Sequence, residues 1–106
     1  MVLEITQEEL KDIEKEGVVL LDFYATWCGP CKMLAPQLEN FAALYTNVRV
    51  YKIDVDQNQE VTEKFGIQGV PTLALFKDGG LIAQRSGFMP AKQINDWINS
   101  TIEWGA

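Results

Sequence analysis

Residues 18–32 read VVLLDFYATWCGPCK, and the reading of this stretch decides the fold. Val18 to Ala25 is almost continuously apolar, with β-branched and aromatic residues, which suits a strand covered on both faces and central in a parallel sheet. After Cys31 the spacing becomes helical, through Leu34, Leu38, Phe41, Ala42 and Tyr45, and Pro36 inside the repeat is expected to kink that helix. Cys28, Gly29, Pro30 and Cys31 therefore stand where a buried strand ends and a long helix begins.

Toward the N-terminus, Val2 to Ile5 is a short apolar run fit for a strand. Thr6 with Glu9 then forms a capping box for a helix that ends near Gly17 and buries Leu10 and Ile13. Toward the C-terminus, Val48 to Val55 has strand character. Asp56 and Asn58 are placed to cap a short helix carrying Val61 and Phe65 and closed by Gly66. Pro71 opens a strand from Thr72 to Phe76, and Asp78, Gly79 and Gly80 turn it into a second strand from Leu81 to Ser86. Pro90 is read as the first residue of a last helix, with Ile94, Trp97, Ile98 and Ile102 on its inner side. The order β-α-β-α-β-α-β-β-α predicts an α/β fold, a central mixed five-stranded sheet flanked by four helices. Strands separated by helices are expected to be parallel, and the terminal hairpin antiparallel.

With 106 residues, 47% of them hydrophobic, the chain is expected to be one domain, 1–106, with its own core. Its net charge of -6, from 15 acids against 9 bases, sets a repulsive background toward polyanions, so neither nucleic acid nor an anionic membrane is an expected partner. The acidic start, from Glu4 to Glu16, is unlike a signal peptide, and a cytoplasmic protein is expected. Histidine is absent, which removes Cys-His and Ser-His nucleophile pairs and His-ligated zinc together.

The cysteines lie near free backbone N–H groups at the positive end of a helix, a location that favours the thiolate, the attacking species in disulfide exchange. Cys28, nearer the exposed end, is the candidate nucleophile. As a staple the pair would be poor, because a four-residue loop supplies about 2 kcal/mol in the chain-entropy account. A zinc site needs two further ligands, and the chain has only two cysteines and no histidine. Asp22 interrupts the apolar strand on the face of Leu20 and Tyr24, where desolvation raises a carboxyl pKa.

The hexapeptide WCGPCK, Trp27 to Lys32, resembles the active site of the thioredoxin family. Asp22, Pro36, the run Val70, Pro71 and Thr72, and Gly79 and Gly87 extend the resemblance over about Val2 to Ile102. The resemblance implies the thioredoxin fold and a reductase of protein disulfides. Cys28 would attack the target disulfide and Cys31 would resolve the mixed disulfide; oxidised, the two form the redox bridge. It further implies proton exchange between Asp22 and Cys31 with Lys52 close by, against the plainer reading of Asp22 and Lys52 as a structural ion pair. The Val70–Pro71 peptide is expected to be cis. Trp27, Gly29, Pro30, Val70, Pro71 and Gly87 are expected to form a substrate-binding rim. No bound cofactor is implied. Electrons would come from a separate NADPH-dependent flavoprotein, a thioredoxin reductase, and the chain is expected to work as a monomer on disulfide-containing protein substrates. The dipeptide Gly29-Pro30, without histidine, favours a reductant over an oxidant or isomerase. A binding module of the same fold is the alternative from another class, which would keep its partner after Cys28→Ser and Cys31→Ser.

Overall fold

The computed structural model describes residues 1–15 and 17–104; Glu16, Gly105 and Ala106 lie outside the described residues. The chain runs β1 (Leu3–Glu4), α1 (Gln7–Ile13), β2 (Val18–Tyr24), α2 (Gly29–Leu44), β3 (Arg49–Asp54), α3 (Gln59–Lys64), β4 (Thr72–Lys77), β5 (Gly80–Ser86) and α4 (Ala91–Thr101). One sheet holds all five strands in the order β1-β3-β2-β4-β5, so β2 is central.

The alternation of side chains along β2 divides the interior into two cores. Val18 and Leu20 join Leu34, Leu38 and Phe41 of α2 and Ile94, Trp97 and Ile98 of α4 on one face. Val19, Leu21 and Phe23 join Leu10 of α1 and Val61 of α3 on the other. All seven residues of β2 but Tyr24 are buried, which explains a run with no polar alternation beyond Asp22.

Thr6 caps α1 in the expected capping box with Glu9. At the hairpin, Asp78 (φ 49°) and Gly79 (φ 93°) both adopt the left-handed region, as a two-residue turn closing the pair Lys77 and Gly80 requires. Asp78 also ties this turn to the segment before β2, its carboxylate accepting from the Gly17 N–H at 2.9 Å.

Several expectations are corrected. β2 is parallel to β3 but antiparallel to β4, so antiparallel pairing is not confined to the terminal hairpin. A helix between two strands does not by itself make a crossover: β1 and β2 are parallel across the seven-residue α1, whereas β3 and β4 are antiparallel across the six-residue α3, so the path of the connection and not its helix sets the direction. The chain enters β4 from the end at which β3 finished. Asn58 occupies the N-cap position of α3 without capping it. Its side chain is buried and instead accepts from the Gln7 N–H and donates to the Asp54 carbonyl. The cap comes from α1, where Gln7 Oε1 accepts from the Val61 N–H at 3.1 Å. Pro90 is the N-cap of α4 rather than its first residue, and Gln37 accepts from the Ala91 N–H.

Candidate active site

Cys28 is the N-cap of α2, with extended backbone, and its sulfur accepts from the Cys31 N–H at 3.2 Å. Helix N-termini leave N–H groups without intrahelical partners, and here one of them is spent on the sulfur. Cys28 and Cys31 form a disulfide, with their Cα atoms 5.3 Å apart. Pro30 falls in the first turn of α2, where a missing N–H costs nothing.

Both sulfurs belong to a small cluster with Ala25, against which Tyr24, Val55 and Val70 pack. Cys28 and Cys31 are 4% and 5% exposed, so exposure does not separate them as the sequence suggested. Their distinction lies in position: Cys28 precedes the helix beside the exposed residues Trp27, Gly29 and Pro30, whereas Cys31 faces inward from its first turn.

The Val70–Pro71 peptide is cis. The Val70 carbonyl oxygen lies 3.7 Å from the Cys28 sulfur, while the Pro71 carbonyl accepts from the Gly87 N–H at 2.9 Å. Gly87 has φ +96°, a conformation that disfavours a side chain. Trp27, Val70, Pro71 and Gly87 thus come from three separate segments to one end of the sheet, at the C-terminal end of β2. Trp27 is 70% exposed, and its indole N–H donates to Asp56 at 2.9 Å. A groove of about 170 Å³ between Trp27 and Val70 is completed by Val55, Thr62, Ile67, Gln68 and Gly69.

Asp22 lies beneath this surface. It is 3% exposed, and its Oδ1 has no hydrogen-bond partner. Burial pushes its carboxyl up to about 7 from an ordinary 3.8, with the Lys52 charge acting in the opposite direction. The structural ion pair with Lys52 is not formed; the two residues are register partners on β2 and β3, but no ion pair joins them. A cleft of about 260 Å³ is lined by Asp22, Lys52 and Cys31 together with Tyr24, Ala25, Thr26, Lys32 and Ala35.

Sequence reasoning missed Asp56 as the anchor of Trp27 and gave it to a helix cap instead. The signal was its position just past the C-terminal end of a strand parallel to β2, where open α/β sheets place functional side chains. It also missed Tyr24, whose ring lies 5.5 Å from the Lys52 ammonium. Among the described residues, no group of three or more His, Cys, Asp or Glu could hold a metal ion, and no helix is long and apolar enough to cross a membrane.

Comparison with known proteins bears on the same residues. The family model named Thioredoxin matches residues 1–100. The thioredoxin of Bacillus subtilis is 40% identical over 99 residues, 92% of this chain and 95% of that protein. That of Alicyclobacillus acidocaldarius is 48% identical over 92 residues, 86% of this chain and 88% of that protein. A solved structure of a mutant thioredoxin from Halobacterium salinarum superposes with a TM-score of 0.87 at 43% identity, covering 98% of this chain and 93% of that one. The fold, the cysteine pair and these relatives agree, and the chain belongs to the thioredoxin family of disulfide oxidoreductases.

Proposed function

We propose that this chain is a reductant of protein disulfides in which Cys28 attacks and Cys31 resolves. The Cys28 thiolate, stabilised by the N-terminal N–H groups of α2, attacks one sulfur of the target disulfide. A mixed disulfide forms and the first target thiolate leaves, taking a proton from water. Cys31 then gives its proton to the Asp22 carboxylate and attacks the Cys28 sulfur, which expels the second target thiolate. The second target thiolate takes its proton from Asp22 through water, which returns the carboxylate; the target thus gains two electrons and two protons, and the chain is left with the Cys28–Cys31 bridge.

The observation that carries this reading is the cleft shared by Asp22 and Cys31, in which a buried carboxyl poised near neutral pH has an unpartnered oxygen. A general base works best when its pKa lies near the operating pH. Lys52 assists through its charge. The rim of Trp27, Gly29, Pro30, Val70, Pro71 and Gly87 receives an extended target segment, with the Val70 backbone beside the reacting sulfur. Recycling falls to a thioredoxin reductase, a flavoprotein drawing on NADPH, and the chain works as a cytoplasmic monomer without a bound cofactor.

The test is the reduction potential of the Cys28–Cys31 pair in defined thiol buffers, followed by Trp27 fluorescence. A value near about -270 mV, that of thioredoxin itself, is expected; one between about -120 and -180 mV would make the protein an oxidant or isomerase. Roles are separated by trapping: Cys31→Ser should accumulate the mixed disulfide with a target, and Cys28→Ser should form none. Equal trapping by both variants would reverse or dissolve the assignment.

A further inference from the structure

Lys52 stands in the middle of a row of side chains that crosses one face of the sheet. The register pairs it with Glu4 on β1 and with Asp22 on β2, and pairs Asp22 in turn with Leu73 on β4. A lysine flanked by two carboxylates is ordinarily drawn into contact with one of them. Here it makes an ion pair with neither, and its ammonium sits 5.5 Å from the centroid of the Tyr24 ring. Tyr24 follows Asp22 by two residues, shares its face of β2, and lines the same cleft as Asp22, Cys31 and Lys52.

An aromatic face attracts an ammonium through its quadrupole without neutralising the charge. We propose that Tyr24 is a positioning residue: its ring seats the Lys52 ammonium, and that seated charge, in place of a direct ion pair, tunes the Asp22 carboxyl. A contact ion pair would hold Asp22 ionised well below neutral pH and leave it a weak base. With no cation at all, burial would keep it protonated and unable to accept the Cys31 proton. A charge held at intermediate range leaves the carboxyl able to do both halves of the transfer.

The other charged or titratable groups around Asp22 do not replace Lys52. From α2 come Cys31, the reacting thiol, and Lys32, whose exposed charge is screened by water. From β2 comes the Tyr24 phenol, which burial and the neighbouring Glu4 carboxylate push above its ordinary range, so that it stays neutral. Glu4 on β1, the register partner of Lys52 on the side away from Asp22, reaches the Tyr24 hydroxyl with its carboxylate, and β4 offers only the apolar Leu73.

The proposal rests on Asp22 acting on Cys31, so its test reads the carboxyl itself. The Asp22 titration would be followed by carboxyl carbon NMR in the reduced chain, in Tyr24→Leu, in Lys52→Met and in the double variant, alongside the pH dependence of mixed-disulfide resolution. In Tyr24→Leu the released ammonium should move into contact with one of its flanking carboxylates and shift the midpoint by on the order of half a pH unit, downward on pairing with Asp22 and upward on pairing with Glu4. Lys52→Met should lift it at least as far, and the double variant no further than Lys52→Met alone. Tyr24→Phe, which keeps the ring, should leave it in place. An unmoved midpoint in Tyr24→Leu, a further shift on adding it to Lys52→Met, or an equal shift in Tyr24→Phe would each overturn the proposal. Should Tyr24→Leu fail to fold, the unsubstituted chain decides. The Lys52 ε-methylene protons should be shifted upfield by the ring, and an ordinary lysine resonance would overturn the seat. A carboxyl titration that moves as expected while the resolution rate ignores it would support the seat and refute Asp22 as proton acceptor.

Discussion

Burial holds the Asp22 carboxyl at about 7 in the folded chain against 3.8 in an unstructured one, and that difference links the residue to both stability and rate. Because the folded value is the higher, the folded state binds this proton more tightly than the unfolded state does. Below about pH 4 both states hold the proton and the residue is harmless. As pH rises from about 4 to about 7 the unfolded carboxyl ionises first, and stability falls; above about 7 the loss is complete. A gap of that width between the folded and unfolded carboxyl corresponds to about 4 kcal/mol as an order of magnitude. Asp22→Asn should therefore leave stability nearly unchanged near pH 4 and raise it by about 4 kcal/mol at pH 8, measured by urea unfolding across that range. A gain that does not vary with pH would show that the carboxyl charge is not the cause. The same variant should slow resolution of the mixed disulfide at neutral pH by on the order of tenfold or more, while the first attack by Cys28 is less affected. Rapid-mixing measurements separate the two steps. Stability and turnover should then move in opposite directions, as expected of a charge buried for function.

At the scale of elements, α1 and α3 are far apart in sequence and hold each other's polar groups. Gln7 caps the Val61 N–H of α3, and Asn58, at the start of α3, accepts from the Gln7 N–H. Asn58 is buried and also donates to the Asp54 carbonyl, so truncating it leaves two partly buried groups without partners. Asn58→Ala should cost about 2 to 3 kcal/mol, well above the cost of about 1 kcal/mol for removing the exposed Thr6 cap of α1. Denaturant unfolding of the two variants gives the comparison, and a smaller loss from Asn58→Ala than from Thr6→Ala would refute the cross-helix role. Thr6 with Glu9 was legible in the sequence because both partners of a capping box lie within one turn. Asn58 reads as a cap by the same local rule, yet its hydrogen bonds are decided by α1, which only the tertiary structure brings near. The direction of β4 was hidden for a similar reason. A helix between two strands reads as a parallel crossover, but the connection through α3 leaves the chain at the end of the sheet where β3 finished, and that path is set by tertiary packing. That β2 and β4 are covered on both faces, by contrast, follows directly from their continuous apolar runs.

For the molecule as a whole, the sheet delivers its chemistry to one end. The pair Cys28 and Cys31 was legible because it occupies four consecutive residues at a strand-to-helix junction, and Asp22 because a carboxylate within VVLLDFY has no local excuse. The indole bond from Trp27 to Asp56 and the placement of Lys52 over Tyr24 were not legible, since both depend on which strand lies beside β2 and in what register. The surface around Cys28 is built mostly of apolar side chains and backbone, and as the proposed target rim it would select weakly among target loops through short-range contacts. Long-range selection would then fall to the field of the whole chain, which carries a net charge of -6. Two model disulfide peptides that differ only in having lysines or glutamates flanking the bridge should be reduced at different rates in about 10 mM salt, where the screening length is about 30 Å. The basic peptide should react several-fold faster. In about 1 M salt, where the screening length is about 3 Å, the two rates should converge, mainly because the basic peptide slows. Equal rates at low salt would mean that local contacts on the rim outweigh the net charge, and the short-range chemistry of Trp27, Val70 and Gly87 would then have to account for target choice.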